Sequence, residues 1–471
     1  MAELFWIETL GCPKNQVDSD KLVGTLTTDG FEAAASPEQA DLVVVNTCAF
    51  IEAARQESIE TVLALADSRR AGSRLVVTGC MAERYGEELA EALPEVDLVA
   101  PFGVALTRAS GHGPGTGPVS RAPTPITLGP KPARPEGAPP GPVPSFDLLN
   151  LPRPVATAPW SYIKVAEGCD RNCGFCAIPS FRGKQRSRTT ASILAEMDQL
   201  AGADGALAEV VLVAQDLSSF GLDRSGGRTV PRLDGPAVGG SRPIVDLVAA
   251  VSARVRWTRL LYLYPSTLDD ALVEAILATG VPYFDLSLQH VSRPLLKRMR
   301  RWGEGERFLE RIRTIREAEP TAAFRSSFII GYPGETEADH DRLLEWIELA
   351  QLDWVGFFPF SREQGTYASE LPDQVPEPLV AERLRECTEL QDAITASRRE
   401  DLMGTTVEVL VDAPGEARSY REAPEIDGII AVPLHLPVGS FADVLVTGAD
   451  GPDLVAVPAG DPALTASGTP R

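Results

Sequence analysis

Positive charge is in short supply in this chain. Its 471 residues include 44 Lys and Arg against 66 Asp and Glu, which gives a formal net charge of −22 and a pI of about 4.7. Proteins that bind nucleic acid usually present a basic field, so the composition argues against that class. An acidic surface suits a basic protein partner, but it also serves solubility, which is the simpler explanation.

Targeting and membrane signals are also missing. No basic segment followed by an apolar core opens the chain, so no secretory signal is recognisable. No apolar run approaches the ~18 residues of a membrane span. We therefore expect a cytoplasmic protein with no membrane partner. Thiols stay reduced in that compartment, so the seven cysteines indicate metal or redox chemistry rather than disulfides.

Composition divides the chain into five segments. A Pro- and Gly-rich stretch separates an N-terminal region from a central one, and a second break near Gly404 follows a long helical pattern. Short alternating apolar runs beyond it predict an all-β module. The predicted segments are an N-terminal domain at 1–106, a linker at 107–154, a central domain at 155–397, a β domain at 398–464 and a disordered tail at 465–471.

Strands and helices alternate in the first two domains. Residues 1–106 show three short apolar strands, each followed by a helical pattern, which predicts a parallel sheet with covering helices. The central domain repeats the alternation six times, which suits an open, partial barrel. The predicted fold class is therefore α/β, with an N-terminal parallel α/β domain, a central partial (β/α)6 barrel and a small C-terminal all-β barrel. We also predict one helix over 294–318 and an exposed Gly-rich loop over 221–243.

The sharpest chemical signal is the sequence GCDRNCGFC, which contains Cys169, Cys173 and Cys176. Iron–sulfur clusters are held by cysteine thiolates, and three such ligands on a four-iron cube leave one iron open. Structural zinc normally takes four protein ligands, and no fourth lies nearby. The loop follows the first strand of the central domain, at the end where such barrels place their active sites.

Three other cysteines are far apart in sequence but equivalent in position. Cys12, Cys48 and Cys80 end the sequences TLGC, VNTC and VTGC, each between a strand and a helix. Such positions share one edge of a parallel sheet, so the thiols should converge at helix N-termini, which favour thiolates. They predict a second cluster with an open iron; the alternative is three buried apolar cysteines. Cys387 lies on an apolar helical stripe and is expected in the core.

The CxxxCxxC sequence after the first strand of a six-unit barrel resembles the radical S-adenosylmethionine (SAM) superfamily. The resemblance implies that SAM binds the open iron and is cleaved to a 5′-deoxyadenosyl radical. It also places Gln215 near the methionyl part of SAM, Gln289 near its ribose and Gly331 near its adenine. The alternatives are hydrogen-bonded barrel-end residues and, for GYPGET at Gly331–Thr336, a plain turn that opens a helix. His290 is expected to be structural or to line a pocket rather than to bind metal.

Two three-cysteine sites and a small β domain together resemble the methylthiotransferases, over nearly the whole chain. This resemblance implies two 4Fe–4S clusters, one SAM as radical source and another as methyl donor. It implies an N-terminal cluster that carries or donates sulfur. It also implies a C-terminal TRAM-like domain that engages the substrate, and an electron donor such as a flavodoxin or ferredoxin.

Members of that family modify either an adenosine of transfer RNA or an aspartate of a small-subunit ribosomal protein. Three segments resemble the ribosomal-protein type, namely CAIPSFRG at Cys176–Gly183, LQHVS at Leu288–Ser292 and REAPEIDG at Arg421–Gly428. Charge is an independent argument. Residues Gly404 to Val457 hold two arginines against nine acidic residues, a net charge of −7, which would repel RNA phosphates and attract a basic protein. The alternative is an acidic barrel whose charge serves solubility alone.

The expected function is methylthiolation of the β-carbon of an aspartate in ribosomal protein S-twelve, either free or in the small ribosomal subunit. A transfer-RNA adenosine methylthiotransferase is the near alternative, although transfer RNA is not the expected partner. An iron–sulfur electron-transfer or scaffold protein and a simple RNA-binding module are alternatives from other classes. Four basic residues after the cluster loop either hold a carboxylate or SAM charge or are solvated, namely Arg182, Lys184, Arg186 and Arg188.

Overall fold

The structure, a computed structural model, describes residues 2–106, 148–202, 205, 207–224 and 242–460. The chain divides into two compact units. The first comprises Met1–Pro154, Lys164–Arg188 and Ser361–Glu370, and the second comprises Val155–Ile163, Thr189–Phe360 and Leu371–Arg471. The predicted linker up to residue 147, most of the predicted Gly-rich loop and the predicted tail lie outside the described residues.

A five-stranded parallel sheet forms the body of the first unit, with strand order β2-β1-β3-β4-β5. Its strands are β1 (Leu4–Thr9), β2 (Glu32–Ala33), β3 (Leu42–Thr47), β4 (Arg74–Gly79) and β5 (Leu98–Ala100). Its helices are α1 (Pro13–Thr28), α2 (Glu52–Ser68) and α3 (Cys80–Ala92). The predicted parallel sheet is confirmed, and two short edge strands that the sequence pattern did not indicate complete it.

Both faces of this sheet are covered, which explains why β3 reads as an unbroken apolar run. Val43 and Val45 pack into one core that includes side chains of α2 and α3. Leu42 and Val44 point the other way and join a second core with Leu22 of α1. Alternate side chains therefore enter different cores, as the two-residue period of a strand requires.

After strand β6 (Trp160–Lys164), the chain forms a small ribbon in the first unit. Strands β7 (Ala166–Glu167) and β8 (Arg186–Ser187) pair antiparallel, and the short helix α4 (Ile178–Arg182) lies between them. Phe181 of α4 packs into the core shared by α2 and α3. The excursion between β7 and β8 is therefore anchored to the five-stranded sheet.

The second unit contains a six-unit β/α half-barrel, which confirms the predicted fold class. Its sheets have the orders β10-β9-β6 and β11-β12-β13, and a parallel bridge between Leu263 and Leu286 joins them. The further strands are β9 (Glu209–Val213), β10 (Trp257–Leu260), β11 (Tyr283–Gln289), β12 (Ala323–Ile330) and β13 (Trp354–Pro359). The helices are α5 (Thr190–Ala201), α6 (Pro243–Ser252), α7 (Asp270–Leu277), α8 (Arg293–Arg298), α9 (Gly305–Ala318), α10 (Glu337–Ala350) and α11 (Glu377–Glu400).

The prediction of a single helix over 294–318 is wrong, because α8 and α9 are separate. Arg300 has a φ of 55° and Gly303 a φ of 123°, and neither value fits a right-handed helix. A Cβ atom at Gly303 would lie 2.2 Å from the ring of Phe308. The apolar pattern continues across the break because Leu296 and Phe308 are both buried. The sequence pattern therefore contains no sign that the helix ends between them.

Residues after α11 form a closed five-stranded barrel with strand order β14-β15-β16-β18-β17. The strands are β14 (Thr406–Ala413), β15 (Glu416–Arg418), β16 (Ile430–Ala431), β17 (Phe441–Asp450) and β18 (Asp453–Pro458). Alternate residues such as Val409, Val411, Val444 and Val446 fill its core. The predicted all-β C-terminal module is confirmed. In the described part of the chain, no helix combines the length and apolar character needed to cross a membrane.

Buried ion pairs fix this small barrel to the half-barrel. Glu209 is fully buried, and its carboxylate accepts hydrogen bonds from Arg259 Nε at 2.7 Å and from Arg418 Nη2 at 2.9 Å. Arg418 also pairs with Asp412, and Arg399 of α11 pairs with Glu422. Buried charges are costly unless they are paired, so the two modules depend on each other for neutrality.

Several contacts between the small barrel and the half-barrel lie at the amino-terminal ends of strands. Glu209 is the first residue of β9. Tyr283 begins β11 and donates a 2.6 Å hydrogen bond to Asp427. Trp354 begins β13, and its indole nitrogen donates to the carbonyl of Arg421 at 2.7 Å. The carboxyl ends of the strands therefore stay on the opposite side from the small barrel.

We predict that Arg418→Gln destabilises the second unit by about 3–5 kcal/mol, because it leaves Asp412 without its cation and removes one of the two arginines that pair with the buried Glu209. The change should lower the urea midpoint of that unit, followed by tryptophan fluorescence. The matched control is Arg254→Gln, which removes an exposed arginine paired with Asp198 and should cost less than about 1 kcal/mol. Equal midpoints for the two variants would contradict the interpretation.

Candidate functional site

The first unit contains six of the seven cysteines, and none of the seven forms a disulfide. Cys12 precedes α1, Cys48 follows β3 and Cys80 is the first residue of α3. Strands β1, β3 and β4 are parallel neighbours, so these three cysteines meet at one edge of the sheet. The structure thus brings together the residues that the sequence pattern placed there. Cys48 differs from the expected position at a helix N-terminus, because it lies four residues before the first residue of α2.

Two glycines allow the cysteine loops to approach each other. A Cβ atom at Gly11 would lie 2.8 Å from Cβ and 3.0 Å from Sγ of Cys48. A Cβ atom at Gly79 would lie 2.3 Å from Oδ1 of Asn46. Both glycines have φ near 90° (96° and 90°), which side chains rarely tolerate. The close packing of the three loops therefore requires glycine at both positions.

Asn15 is a connecting residue that the sequence analysis missed. Its Nδ2 donates to the carbonyls of Leu10 at 2.8 Å and Thr47 at 3.2 Å, which belong to the loops of Cys12 and Cys48. Its Oδ1 accepts from the thiol of Cys80 at 3.7 Å. One fully buried amide thus touches all three cysteine loops. The available signal was its position in GCPKN, three residues after Cys12.

The acidity of the trio reflects burial and mutual repulsion. Burial raises the pKa of Cys48 to about 12, and the neighbouring Cys80 and Cys12 add to the rise. Burial also raises the pKa of Cys80, although Arg182 opposes it. For Cys12, the effect of burial is outweighed by the cations of Lys14 and Arg182 and by backbone N–H groups, which lower its pKa. Of the three thiols, only that of Cys12 has a lowered pKa, and three thiolates together would require added positive charge, as a metal cluster provides.

Arg182 contacts this trio directly. Its Nη2 donates to Sγ of Cys80 at 2.9 Å and to Oδ1 of Asn15 at 2.8 Å. Its Nη1 pairs with Glu167 at 3.0 Å and with Asp18 at 3.1 Å. The sequence predicts that Arg182 either holds a carboxylate or SAM charge or is solvated. Solvation is wrong for this residue, because its guanidinium is buried and pairs with carboxylates of the chain itself.

The second trio lies on one loop between β7 and α4. The N–H of Cys169 donates to the carbonyl of Gly183 at 3.1 Å, and the N–H of Cys176 donates to the carbonyl of Cys173 at 3.2 Å. A Cβ atom at Gly168 would lie 2.3 Å from the carbonyl oxygen of Lys184, so the base of the loop is tightly closed. All three cysteines are partly exposed. The loop is thus a short closed segment that carries three partly exposed cysteines.

Across the described ranges, no three His, Cys, Asp or Glu side chains are arranged to hold a single metal ion. A four-iron cube makes a different demand, because each thiolate binds its own corner. The two cysteine trios, one on three packed loops and one on a single closed loop, fit that demand in number and in chemistry.

The predicted SAM contacts lie at the carboxyl ends of strands in the second unit. Gln215 follows β9, and Gln289 ends β11 after a register shift, with a φ of 72°. Gly331 follows β12 with a φ of 79°, and its N–H donates to Glu335 at 2.7 Å. Thr336 then caps α10. GYPGET is therefore a turn that opens a helix, and its contact with adenine stays a prediction.

His290 and Cys387 are two further residues that the sequence pattern singled out, and both lie in the second unit. His290 is completely buried, and its Nδ1 accepts a 3.0 Å hydrogen bond from the N–H of Ser292. Cys387 is fully buried on α11, as expected for a core residue.

Family models match three parts of the chain. Residues 4–101 match the uncharacterized protein family UPF0004, residues 163–347 match the radical SAM superfamily, and residues 403–458 match the TRAM domain. Together with the half-barrel and the small closed barrel, these matches define a radical SAM enzyme in which one domain precedes the core along the chain and another follows it.

Whole-chain similarity narrows this class. The chain is 40% identical to ribosomal protein uS12 methylthiotransferase RimO of Salinispora tropica, over 96% of this chain and 94% of that protein. It is 40% identical to the protein of the same name from Cutibacterium acnes, over 96% and 97%, and to that of Moorella thermoacetica, over 93% and 95%. The chain therefore belongs to the RimO family of methylthiotransferases, which confirms the predicted family and enzyme class.

Burial lowers the pKa of His290 from 6.5 to about 4, with Asp339 opposing the shift and His340 and Arg383 adding to it. Because the folded pKa is depressed, the unprotonated ring stabilises the fold fully above pH ~6.5, and this contribution of up to about 3 kcal/mol is lost as pH falls towards 4.

We predict that His290→Asn, which keeps an acceptor for Ser292, weakens the loss of stability between pH 6.5 and 4. Urea midpoints at the two pH values measure the effect. His435→Asn is the control, because that side chain is already exposed. An identical pH dependence in His290→Asn and the unsubstituted protein would disprove the assignment.

Proposed function

We propose that this enzyme attaches a methylthio group to the β-carbon of an aspartate in ribosomal protein uS12. The observation that carries the proposal is the presence of two cysteine trios in one unit, one at a sheet edge and one on a closed loop. Membership of the RimO family supports the ribosomal substrate. The β-hydrogen of aspartate is not acidic enough for ordinary base chemistry, so a radical route fits this carbon.

Each trio has a separate role in this proposal. Cys169, Cys173 and Cys176 hold the 4Fe–4S cluster at which SAM binds, and Cys12, Cys48 and Cys80 hold a second 4Fe–4S cluster. When bound, the clusters supply an electron for SAM cleavage and an iron open to external sulfur. One SAM serves as radical source and another as methyl donor. A flavodoxin or ferredoxin remains the predicted electron donor.

Residues of the half-barrel would orient SAM. Gln215, Gln289 and Gly331 all lie at the carboxyl ends of the strands, where barrels of this kind place their active sites. The positive φ of Gln289 holds its side chain in a conformation that a regular strand would not give. We assign these residues to binding and orientation, with the methionyl part at Gln215, the ribose at Gln289 and the adenine at Gly331.

The charge of the small C-terminal barrel favours a protein substrate over transfer RNA. Its two arginines are both engaged, Arg418 with Glu209 and Asp412, and Arg421 with Asp353 at 3.6 Å. From Gly404 to Gly460 the sequence contains no lysine. Three of its acidic side chains are exposed, namely Glu425, Asp443 and Asp450. RNA phosphates would find no available cation on this module, whereas a basic ribosomal protein would be attracted to it.

The position of this barrel favours a docking role. It contacts the amino-terminal ends of the strands, whereas the proposed SAM contacts lie at the carboxyl ends. Strand β12 has eight residues, and at about 3.3 Å per residue the two ends are about 25 Å apart. A substrate protein docked on the small barrel would therefore be held at a distance from the SAM site, where its aspartate reacts.

Mass spectrometry tests the substrate assignment. The reconstituted and reduced enzyme is incubated with SAM and either small ribosomal subunits, free uS12 or transfer RNA. We expect one methylthio group on an aspartate of a uS12 peptide. A methylthio group on adenosine instead would establish the transfer-RNA activity, and failure to form 5′-deoxyadenosine would favour the scaffold alternative.

Replacing each trio by alanine tests the cluster assignment. We predict that Cys12→Ala/Cys48→Ala/Cys80→Ala and Cys169→Ala/Cys173→Ala/Cys176→Ala each remove about half of the iron and acid-labile sulfide. Cys387→Ala is the matched control, because it removes a buried cysteine that belongs to neither trio and should retain all the iron. If only one triple replacement lowered the iron content, the two-cluster assignment would be wrong.

A further inference from the structure

We propose that Arg182 is a positioning residue for the N-terminal cluster: it holds the Cys80 ligand through an N–H···S hydrogen bond and raises the midpoint potential of that cluster. Arg182 belongs to the segment that carries the other cysteine trio, so it also couples the two cluster sites. This inference rests on the proposed function, in which Cys12, Cys48 and Cys80 hold a cluster.

The guanidinium of Arg182 has two engaged sides. One nitrogen contacts Sγ of Cys80 at 2.9 Å and Oδ1 of Asn15 at 2.8 Å. The other pairs with Glu167 and Asp18. Its carbon lies 4.8 Å from the centre of the Phe102 ring. The planar, forked guanidinium can serve both sides at once, and a lysine ammonium cannot.

The charges around Arg182 balance only when it is present. Lys164 has no exposed area and pairs with the same two carboxylates, Asp18 and Glu167. Two buried cations therefore face two buried anions. Without Arg182 this group would carry one net negative charge beside the cysteine trio. Loss of the hydrogen bond and loss of the cation would both disfavour adding an electron to the cluster, since net charge and hydrogen bonds to sulfur set cluster potentials.

Arg182 links the two cysteine trios through the chain. It is also fixed in the chain, as the last residue of α4 and six positions after Cys176. Phe181, its neighbour, packs into the core of the five-stranded sheet. A shift of the CxxxCxxC loop would therefore be transmitted to the sulfur of Cys80.

The test isolates one cluster in the full-length chain. Cys169→Ala/Cys173→Ala/Cys176→Ala leaves the N-terminal trio as the only proposed cluster site, and Arg182→Gln or Arg182→Lys is added to it. Iron and sulfide content, melting temperature and an anaerobic redox titration followed by electron paramagnetic resonance are measured for each protein. The matched control is Arg55→Gln, which removes a buried arginine that pairs with Glu363 at 2.6 Å and with Glu52.

We expect Arg182→Gln to lower the equilibrium constant for reduction of the cluster about tenfold, which is about 59 mV for one electron. Arg182→Lys keeps the charge but not the two-sided contact, so its shift should be in the same direction and smaller. Arg55→Gln should leave the midpoint unchanged. A second supporting result is that Arg182→Gln loses iron while its melting temperature equals that of Arg55→Gln. That result would show that Cys80 is no longer held although the fold is intact.

Full iron content with an unchanged midpoint in Arg182→Gln would overturn the proposal, as would equal shifts in Arg182→Gln and Arg55→Gln. If Arg182→Gln does not fold, the same two results in Arg182→Lys would overturn the proposal: full iron content with an unchanged midpoint, or a shift equal to that of Arg55→Gln. If the parent protein with Arg182 intact contained no iron, the cluster assignment itself would fail, and this outcome is distinguishable from failure of the role of Arg182.

Discussion

The parallel arrangement of strands is the constraint on which the candidate chemistry of this protein depends. Because parallel strands end at one edge, residues that follow different strands meet even when they are far apart in sequence. Cys12, Cys48 and Cys80 meet in this way in the first unit. Gln215, Gln289 and Gly331 share the corresponding end of the strands in the second unit.

Buried charge is the second organising feature, and it occurs in both units. In the first unit Lys164 and Arg182 neutralise Asp18 and Glu167 beside the cysteine trio. In the second unit, the arginines around Glu209 attach the small barrel to the half-barrel. Removing one partner of such a network leaves an uncompensated charge, so the networks specify which segments belong together as well as adding stability.

The distribution of charge in the RimO-family enzyme has a consequence for substrate choice. The two arginines of the small barrel pair with carboxylates of the half-barrel, whereas three of its acidic side chains are exposed. In the proposed function, the acidic small barrel docks the substrate at the amino-terminal ends of the strands, and the residues at the carboxyl ends bind SAM. On that proposal, recognition of a basic substrate and radical chemistry would occupy different parts of one molecule, and the substrate would have to span the distance between them.

The sequence by itself determined the local chemistry. GCDRNCGFC needs no tertiary information, because its three cysteines lie within eight residues, and strand–helix alternation was enough to place the other trio at one edge. Tertiary structure alone decided the surroundings of that trio. The Asn15–Arg182 contact joins residues 167 positions apart, and no periodicity or spacing records such a pairing. The break between α8 and α9 was hidden for a related reason: burial on both sides preserved the apolar pattern while the backbone at Arg300 and Gly303 left the helix.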